Sequence, residues 1–245
     1  MRWIYISPHF DDAVLSCGGL IWEQTHRGVP VEIWTVNAGD PPPGSVSDLI
    51  TRVHTMWNTG TPQETVEQRR IEDQNAARRV GATLQHLKMV DALYRRNNTG
   101  SLIYTHGVFE PIHASETGIV EETAGQIAAL LFETDILVCP LALGGHVDHV
   151  ITRRAVESLR PPGASLRYYA DIPYLFRHEG ELAPATEDLR IENHFISAPG
   201  LAAWQAAIEE HVSQISSLFI DVEDMRRLIK DYCISRSGQY LWERV

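Results

Sequence analysis

The sequence has little of what would attach a protein to a membrane or to nucleic acid. No apolar run in its 245 residues approaches the roughly 18 residues that a membrane-spanning helix needs. Positive charge is scarce: Lys88 and Lys230 are the only lysines, and the formal net charge is −11. Because nucleic acids and anionic lipids attract concentrated Lys and Arg, we expect neither a nucleic-acid partner nor a membrane partner.

Cysteine is also rare. Cys17, Cys139 and Cys233 are odd in number and far apart, and no Cys-x-x-Cys pair occurs. This pattern predicts free, partly buried thiols in a reducing compartment. The first residues lack the basic region and the small-residue cleavage site of a signal peptide. We therefore expect a cytoplasmic protein.

The residues that are present alternate between short apolar runs and amphipathic segments, which is typical of βαβ units. An apolar content of 44% and a length of 245 residues fit one large domain covering residues 1–245. The fold class predicted is α/β and Rossmann-like, a mostly parallel sheet with helices on both faces. Strands are expected at 2–7, 31–36, 83–87, 135–141, 166–170 and 191–196. Helices are expected at 12–28, 63–80, 119–133, 148–159 and, as one or two helices, 200–230.

A polar cluster closes the first predicted strand. Ser7-Pro8-His9-Phe10-Asp11-Asp12 follows the apolar run 3–6. In open α/β sheets, ligands bind beyond the carboxyl ends of the strands. The structural alternative is a helix cap, since Asp is a favoured residue at a helix start. Taken alone, the motif supports a site and a cap about equally.

A second cluster follows another buried run. His146-Val147-Asp148-His149 comes after the apolar residues 136–141. In a helical turn, residues three apart share a face, so the two histidines can point the same way. Alone, the pattern also fits a capped helix start with surface imidazoles. Together with the first cluster it predicts a metal site, because two His, one carboxylate and a water form a catalytic zinc centre.

Both clusters resemble motifs of the LmbE/PIG-L-like zinc-dependent N-acetylglucosaminyl deacetylase family. The family has P-H-x-D-D after its first strand and H-x-D-H later, and here these are residues 8–12 and 146–149. Arg69-Arg70-Ile71-Glu72 is similar to the family's R-x-x-E helix. Asp91 falls where the family often has an Asp after its third strand. The resemblance covers about residues 2–175.

The resemblance implies roles for the matching residues. The metal ligands would be His9, Asp12 and His149. Asp11 would be the general base for the attacking water, and His146, protonated and oriented by Asp148, would stabilise the oxyanion or protonate the leaving amine.

The same resemblance implies three residues that contact the substrate: Arg69, Asp91 and Tyr94. For Arg69, an ion pair with Glu72 is an equally good reading of the i,i+3 spacing. One departure concerns Gly144, where some members have a Tyr that helps to bind the oxyanion. Tyr94 and Tyr174 are the candidate replacements.

The function implied is a zinc-dependent hydrolase that removes an acetyl or related acyl group from the amide nitrogen of an amino sugar or glycoconjugate. Fe²⁺ or Co²⁺ would suit the same ligands. Two alternatives stay open: a metal-dependent hydratase of an unsaturated carboxylic acid, for which Arg95, Arg96 and Arg177 would supply positive charge, and a non-catalytic sugar-binding protein. A homo-oligomer is compatible with the sequence.

Overall fold

A seven-stranded sheet organises the protein in the computed structural model, which describes residues 1–159 and 165–244. The strand order is β3-β2-β1-β4-β5-β7-β6. The strands are β1 (Trp3–Ser7), β2 (Val31–Thr35), β3 (Thr83–His86), β4 (Ile136–Pro140), β5 (Ser165–Tyr169), β6 (Leu189–His194) and β7 (Gln239–Arg244). The run from β3 to β5 is parallel, and β7 is antiparallel to both of its neighbours. The predicted Rossmann-like α/β class is confirmed.

Strand β1 occupies the point where the chain changes its direction of travel across the sheet. It pairs with β2 on one side and with β4 on the other. At such a switch point the two following loops diverge and leave a crevice beyond the strand ends. The two polar clusters of the sequence therefore emerge on either side of one crevice.

Ten helices lie among the described residues. They are α1 (Asp12–His26), α2 (Asp48–Trp57), α3 (Pro62–Val80), α4 (Ile119–Ala128), α5 (Val147–Leu159), α6 (Tyr174–Arg177), α7 (Glu179–Ala185), α8 (Ala198–Glu209), α9 (Val212–Leu218) and α10 (Val222–Ser235). Two three-residue 3₁₀ turns, at Ala92–Tyr94 and Leu143–Gly145, follow β3 and β4. No helix of the described ranges is long and apolar enough to cross a membrane.

Several predicted boundaries need correction. Helix α4 ends at Ala128 and not near residue 133, because the N–H of Phe132 turns back to a carboxylate oxygen of Asp135 at 2.9 Å. The C-terminal helical stretch forms three helices, and α2, α6, α7 and β7 were not predicted. The three cysteines are free and buried, as expected.

Close packing fixes the position of α1, which carries the first polar cluster. A Cβ added at Gly18 would lie 2.4 Å from Cδ1 of Trp204, so only glycine lets the α8 indole approach this closely. The indole Nε1 of Trp204 also donates to the carbonyl of Val14 at 2.8 Å. The start of α1 is thereby held against the carboxyl end of β1.

Candidate active site

The loop after β1 is shaped by its own side chains. The hydroxyl of Ser7 donates to the His9 carbonyl at 2.6 Å and accepts from the N–H of Ala13 at 2.9 Å. The N–H of His9 donates to Oδ2 of Asp12 at 2.8 Å. Asp11 stands at the N-cap position of α1, yet its side chain makes no capping hydrogen bond. Its carboxylate is therefore available to the crevice, and the helix-cap interpretation of Asp11 is wrong.

The carboxylate of Asp12 contacts both His9 and His149. Oδ2 of Asp12 lies 3.2 Å from Nδ1 of His9 and 3.2 Å from Nε2 of His149. Tetrahedral ligands at zinc bond lengths are separated by about 3.3 Å. His146 completes a group of three histidines whose donor nitrogens all lie within 4.8 Å of one another. All four residues are buried.

His9 and His149, the two expected ligand histidines, are each held through one ring nitrogen. Nε2 of His9 donates to Oδ2 of Asp148 at 3.0 Å, and Nδ1 of His149 donates to Oδ1 of Asp171 at 2.7 Å. Such carboxylate–histidine pairs fix the tautomer and ring orientation of metal-binding histidines. Nε2 of His149 is buried, and its 3.2 Å contact with Oδ2 of Asp12 lacks the geometry of a hydrogen bond. A divalent metal would satisfy that nitrogen.

The carboxylates around this cluster favour the positively charged forms of His9 and His149. Burial lowers the pKa of His9, but its contacts with Asp12 and Asp148 outweigh burial and raise that pKa well above the ordinary value. For His149, burial is outweighed by Asp12 and Asp171, and the pKa rises to about 9. Without a metal, both imidazoles therefore carry a proton at neutral pH, in the place that a cation would take.

His146 behaves differently from its two neighbours. Burial, followed by the nearby His9 and His149, holds its pKa well below the ordinary value. Its Nδ1 accepts the backbone N–H of Asp148 at 3.2 Å, which leaves the proton of the neutral ring on Nε2. In the metal-free structure, burial and the like charge of the two neighbouring imidazoles favour the neutral form of His146. The protonated form implied by the resemblance stays a prediction.

Asp148 does not orient His146 with its carboxylate, as the sequence-based interpretation had it. The carboxylate accepts from His9, from the N–H of Ala92 at 2.9 Å and from the guanidinium of Arg95. Arg95 also donates to Glu116. The reason is geometric: Asp148 lies at the start of α5, where its side chain reaches back toward the loop after β1. Asp148 therefore supports His9.

Arg69 reaches the site from α3. Its Nη2 lies 3.2 Å from Oδ1 of Asp11, and its guanidinium packs over the ring of Trp57, with 4.7 Å between the guanidinium carbon and the ring centroid. The alternative ion pair with Glu72 does not form. Glu72 instead accepts from the N–H and the hydroxyl of Ser213, at 3.0 and 2.7 Å. Arg69 thus sets the position and charge environment of Asp11.

The other two expected substrate contacts do not line the crevice. The Tyr94 hydroxyl lies 2.8 Å from Nε2 of His54, and its ring packs in a small apolar cluster with Phe10. Asp91 accepts from the N–H of Leu93 at 2.9 Å, and its Oδ2 lies 3.9 Å from Nε2 of His9. Both residues belong to the layer beneath the site, because the 3₁₀ turn after β3 folds under the loop after β1.

Gly144 stands where some family members have a Tyr, and the space beside it is occupied by Tyr174 of α6. Gly144 has φ of +75°, and a Cβ there would lie 3.3 Å from Cδ1 of Tyr174. The Tyr174 ring also lies edge-on to His149, with 5.4 Å between centroids. Its hydroxyl has no hydrogen-bond partner among residues 1–159 and 165–244, and burial raises its pKa well above the ordinary value. Of the two tyrosines considered, Tyr174 is the one at the site.

His9, Asp11, Asp12, Arg69 and His146 form the floor of a cleft of about 250 Å³. Sequence analysis identified its floor and, of its walls, Tyr174 and Arg177. The walls come from α1, α2, the 103–116 segment, residues 173–177 and α9. The wall residues are Leu15, Val53, Met56, Trp57, Val108, Phe109, Pro173, Tyr174, Arg177, Gln214, Ser217 and Leu218. Asp171, which holds His149, was recognisable only as a polar residue after a predicted strand.

The sequence pattern of one protein family, PIG-L, described as GlcNAc-PI de-N-acetylase, matches residues 4–159. This range contains both motifs and most of the site. The chain belongs to the PIG-L family. The match also agrees with the resemblance inferred from the two motifs.

Individual relatives agree with this assignment. A 2'-N-acetylparomamine deacetylase of Niallia circulans is 26% identical over 238 residues, which cover 88% of this chain and 82% of that protein. A crystal structure of a deacetylase–bog complex from the teicoplanin biosynthesis pathway has a TM-score of 0.85 at 27% identity and covers 99% of this chain and 97% of its own. A zinc-inhibited form of a teicoplanin deacetylase has a TM-score of 0.83 at 26% identity, with the same coverage.

The comparisons identify this PIG-L member as a hydrolase of the N-deacetylase type, so the hydratase and non-catalytic alternatives are wrong. The site agrees with this outcome. Of the three arginines considered for a carboxylate-binding cluster, Arg177 alone lines the cleft. Arg95 is bound to Asp148 and Glu116, and Arg96 donates to the carbonyl of Ser45 at 2.6 Å.

Proposed function

We propose that the protein is a zinc-dependent hydrolase that removes an acetyl group from the amide nitrogen of an amino sugar or its glycoconjugate. The observation that carries the proposal is the buried cluster of His9, His146 and His149, whose donor nitrogens lie within 4.8 Å of one another, with Oδ2 of Asp12 at 3.2 Å from both His9 and His149. The acetylated amino sugars named for the relatives support the substrate class.

The chain would hold zinc through Nδ1 of His9, a carboxylate oxygen of Asp12 and Nε2 of His149. When bound, zinc lowers the pKa of a coordinated water to about 7 and polarises a carbonyl. Burial of these ligands would exclude competing water. The carboxylates of Asp148 and Asp171 accept the other ring N–H of each histidine and so fix the tautomer and ring orientation that metal binding needs. The three proposed ligands and the two carboxylates that hold the histidines all lie within residues 9–171.

Asp11 and His146 would divide the proton chemistry between two sides of the substrate carbonyl. Asp11 lines the cleft next to Asp12 and takes the proton of the attacking water. Nε2–H of His146 and the phenol of Tyr174 would donate hydrogen bonds to the oxygen that becomes an oxyanion. When the C–N bond breaks, Asp11 would pass the proton it took from the water to the leaving nitrogen, so that the products are acetate and the free amine. Nη2 of Arg69, 3.2 Å from Oδ1 of Asp11, would hold that carboxylate in position beside the cleft.

The direct test is acetate release from N-acetylated amino sugars by protein of known metal content. We expect no release after chelation, full release after one equivalent of zinc, and a metal content near one per chain. Fe²⁺ and Co²⁺ are run in parallel to identify the most active metal. Release that is unaffected by chelation would contradict the metal proposal, and protein that takes up zinc but releases no acetate from any such sugar would contradict the substrate proposal.

A further inference from the structure

Gln214 brings a free hydrogen-bond acceptor to the wall of the cleft. The residue lies on α9 and lines the cleft, yet it is only 4% exposed. Its amide Nε2 donates to Oγ of Ser213 at 2.8 Å. Its Oε1 accepts no hydrogen bond from the described part of the chain and is not closed off in the interior. This carbonyl oxygen therefore faces the cleft.

The orientation of the Gln214 amide is determined by its neighbours. The hydroxyl of Ser213 donates to Oε2 of Glu72 at 2.7 Å, and the backbone N–H of Ser213 donates to Oε1 of the same carboxylate at 3.0 Å. Because the Ser213 hydroxyl uses its only proton on Glu72, it can only accept from Gln214. The amide must then turn its NH₂ group to Ser213 and its carbonyl to the cleft.

Glu72 links this amide to the residues on the cleft floor. Arg69 and Glu72 lie three residues apart on α3, a spacing that puts Cβ atoms about 5–6 Å apart on one helix face. Arg69 contacts Asp11, with 3.2 Å between Nη2 and Oδ1. Glu72 holds Gln214 through Ser213. One face of α3 thus supports both the proposed general base and a fixed neutral acceptor in the same cleft.

We propose that Gln214 is a specificity-determining residue whose Oε1 accepts a hydrogen bond from a ring hydroxyl of the amino sugar. This proposal rests on the proposed function and names how its substrate is recognised. The scissile amide must lie at Asp11 and His146, so the donors left to reach the cleft wall are hydroxyls of the same sugar. A sugar without the matching hydroxyl leaves an oriented, largely buried acceptor unpaired, which is costly.

The test measures kcat/KM for acetate release with the zinc-loaded full chain. The substrates are the methyl glycoside of N-acetylglucosamine and its 3-deoxy, 4-deoxy and 6-deoxy analogues. We expect one analogue to react at least about tenfold more slowly than the parent, because it lacks the hydroxyl that Gln214 binds. Gln214→Leu removes the acceptor at similar size, so the parent should slow about tenfold and its ratio to that analogue should approach one. The two changes remove the same contact, so their effects should not add.

Gln205→Leu is the matched control. Gln205 is a buried glutamine of α8 whose Nε2 donates to the carbonyl of Arg226 at 2.8 Å, and it does not line the cleft. This variant should keep the wild-type ratio. Ser213→Ala removes the acceptor that orients the Gln214 amide and should lower the ratio severalfold, whereas Ser213→Thr retains a hydroxyl and should keep it. Each ratio compares two substrates on one protein sample, so partial unfolding of a variant does not change it.

Equal kcat/KM values for all four sugars would overturn the proposal. So would a parent-to-analogue ratio that Gln214→Leu leaves at its wild-type value. Calorimetric binding of the four sugars separates this proposal from the proposed reaction. If no sugar releases acetate but one hydroxyl contributes to affinity in the wild type and not in Gln214→Leu, the role of Gln214 stands and the reaction fails. If acetate is released and no hydroxyl depends on Gln214, the reaction stands and the role of Gln214 fails. If no sugar releases acetate and no affinity depends on Gln214, both fail.

Discussion

Arg95 donates a hydrogen bond to one carboxylate oxygen of Asp148, and His9 donates to the other oxygen at 3.0 Å. The guanidinium also binds Glu116, which accepts from the hydroxyl of Tyr104. Arg95 is only 7% exposed, and its ion pairs raise its pKa above the ordinary value despite the opposing effect of burial. A candidate metal ligand is thus positioned through a buried carboxylate by a buried cation.

Replacing this cation should weaken metal binding. In Arg95→Met, Asp148 and Glu116 become buried charges without a partner, and we expect a metal affinity lower by about 10- to 100-fold. The free energy of unfolding should fall by about 3–5 kcal/mol, because breaking a buried pair leaves an uncompensated charge. Competition with a chelator measures the affinity, and denaturant titration of the metal-free protein measures the stability. Arg153→Met, on α5 but outside the cleft, is the control. An unchanged metal affinity in Arg95→Met would contradict the proposal that Arg95 positions His9 through Asp148.

Asp171 should contribute to metal affinity by holding His149. Asp171→Ala removes the acceptor of the Nδ1–H and frees the ring to change tautomer, so we expect a 10- to 100-fold loss of metal affinity. Asp73→Ala is a matched control. Asp73 is fully buried and accepts from His86 at 3.0 Å, but lies outside the cleft. If Asp171→Ala and Asp73→Ala lower the metal affinity equally, the loss comes from removing a buried carboxylate and not from the hydrogen bond to His149.

Metal binding should release protons. The pKa of His149 is about 9 and that of His9 is raised well above its ordinary value, so both are protonated at pH 7 without metal. A metal binds only the neutral nitrogen, so affinity should increase as the pH rises toward 9. Calorimetric zinc titrations at pH 7 in two buffers with different ionisation enthalpies measure the number of protons released. We expect a value near two, and a heat that does not depend on the buffer would refute this account.

Asp11 should be needed for turnover but not for metal binding. Asp11→Asn keeps the shape of the side chain and removes its basicity, and we expect kcat to fall by about 10²- to 10⁴-fold. Zinc content should stay at the wild-type level, because the donor atoms of His9, Asp12 and His149 are unchanged. Retained activity would show that another group takes the proton from the water, whereas loss of zinc would show that Asp11 is itself a metal ligand.

The parts of the site that follow buried strands could be predicted from the sequence. Runs such as 3–6 and 136–141 are apolar over their whole length, which defines a strand and the loop after it without tertiary information. His9 and His149 were placed together on that basis. The choice between a helix cap and a site for Asp11 needed the structure, since it depends on whether the carboxylate accepts from its own helix.

Partners from distant parts of the chain could not be predicted. Arg69 meets Asp11 across 58 residues and Arg95 meets Asp148 across 53, and no local pattern records such contacts. The wall formed by α9 depends on the bond between Glu72 and Ser213, across 141 residues. Strand β7 is short, follows a helix and joins the sheet by antiparallel pairing, so its sequence resembles a helix end followed by a loop.

Tyr174 is the remaining candidate for the proton donor to the oxyanion. Its phenol lies in the cleft without a partner in the described chain, and its raised pKa keeps it protonated across the working range. Tyr174→Phe removes only the hydroxyl. We expect kcat to fall by about 10²-fold, the typical effect of losing one donor to an oxyanion, with little change in KM or zinc content.

Two further variants distinguish this role from packing. Tyr240→Phe removes a phenol from β7, away from the cleft, and should leave kcat unchanged. Gly144→Ala adds a methyl group 3.3 Å from the Tyr174 ring at a backbone position that disfavours side chains, so it should displace the ring and lower kcat with the hydroxyl still present. If Tyr174→Phe keeps wild-type kcat while Gly144→Ala does not, the ring acts only by packing and His146 is the main donor to the oxyanion.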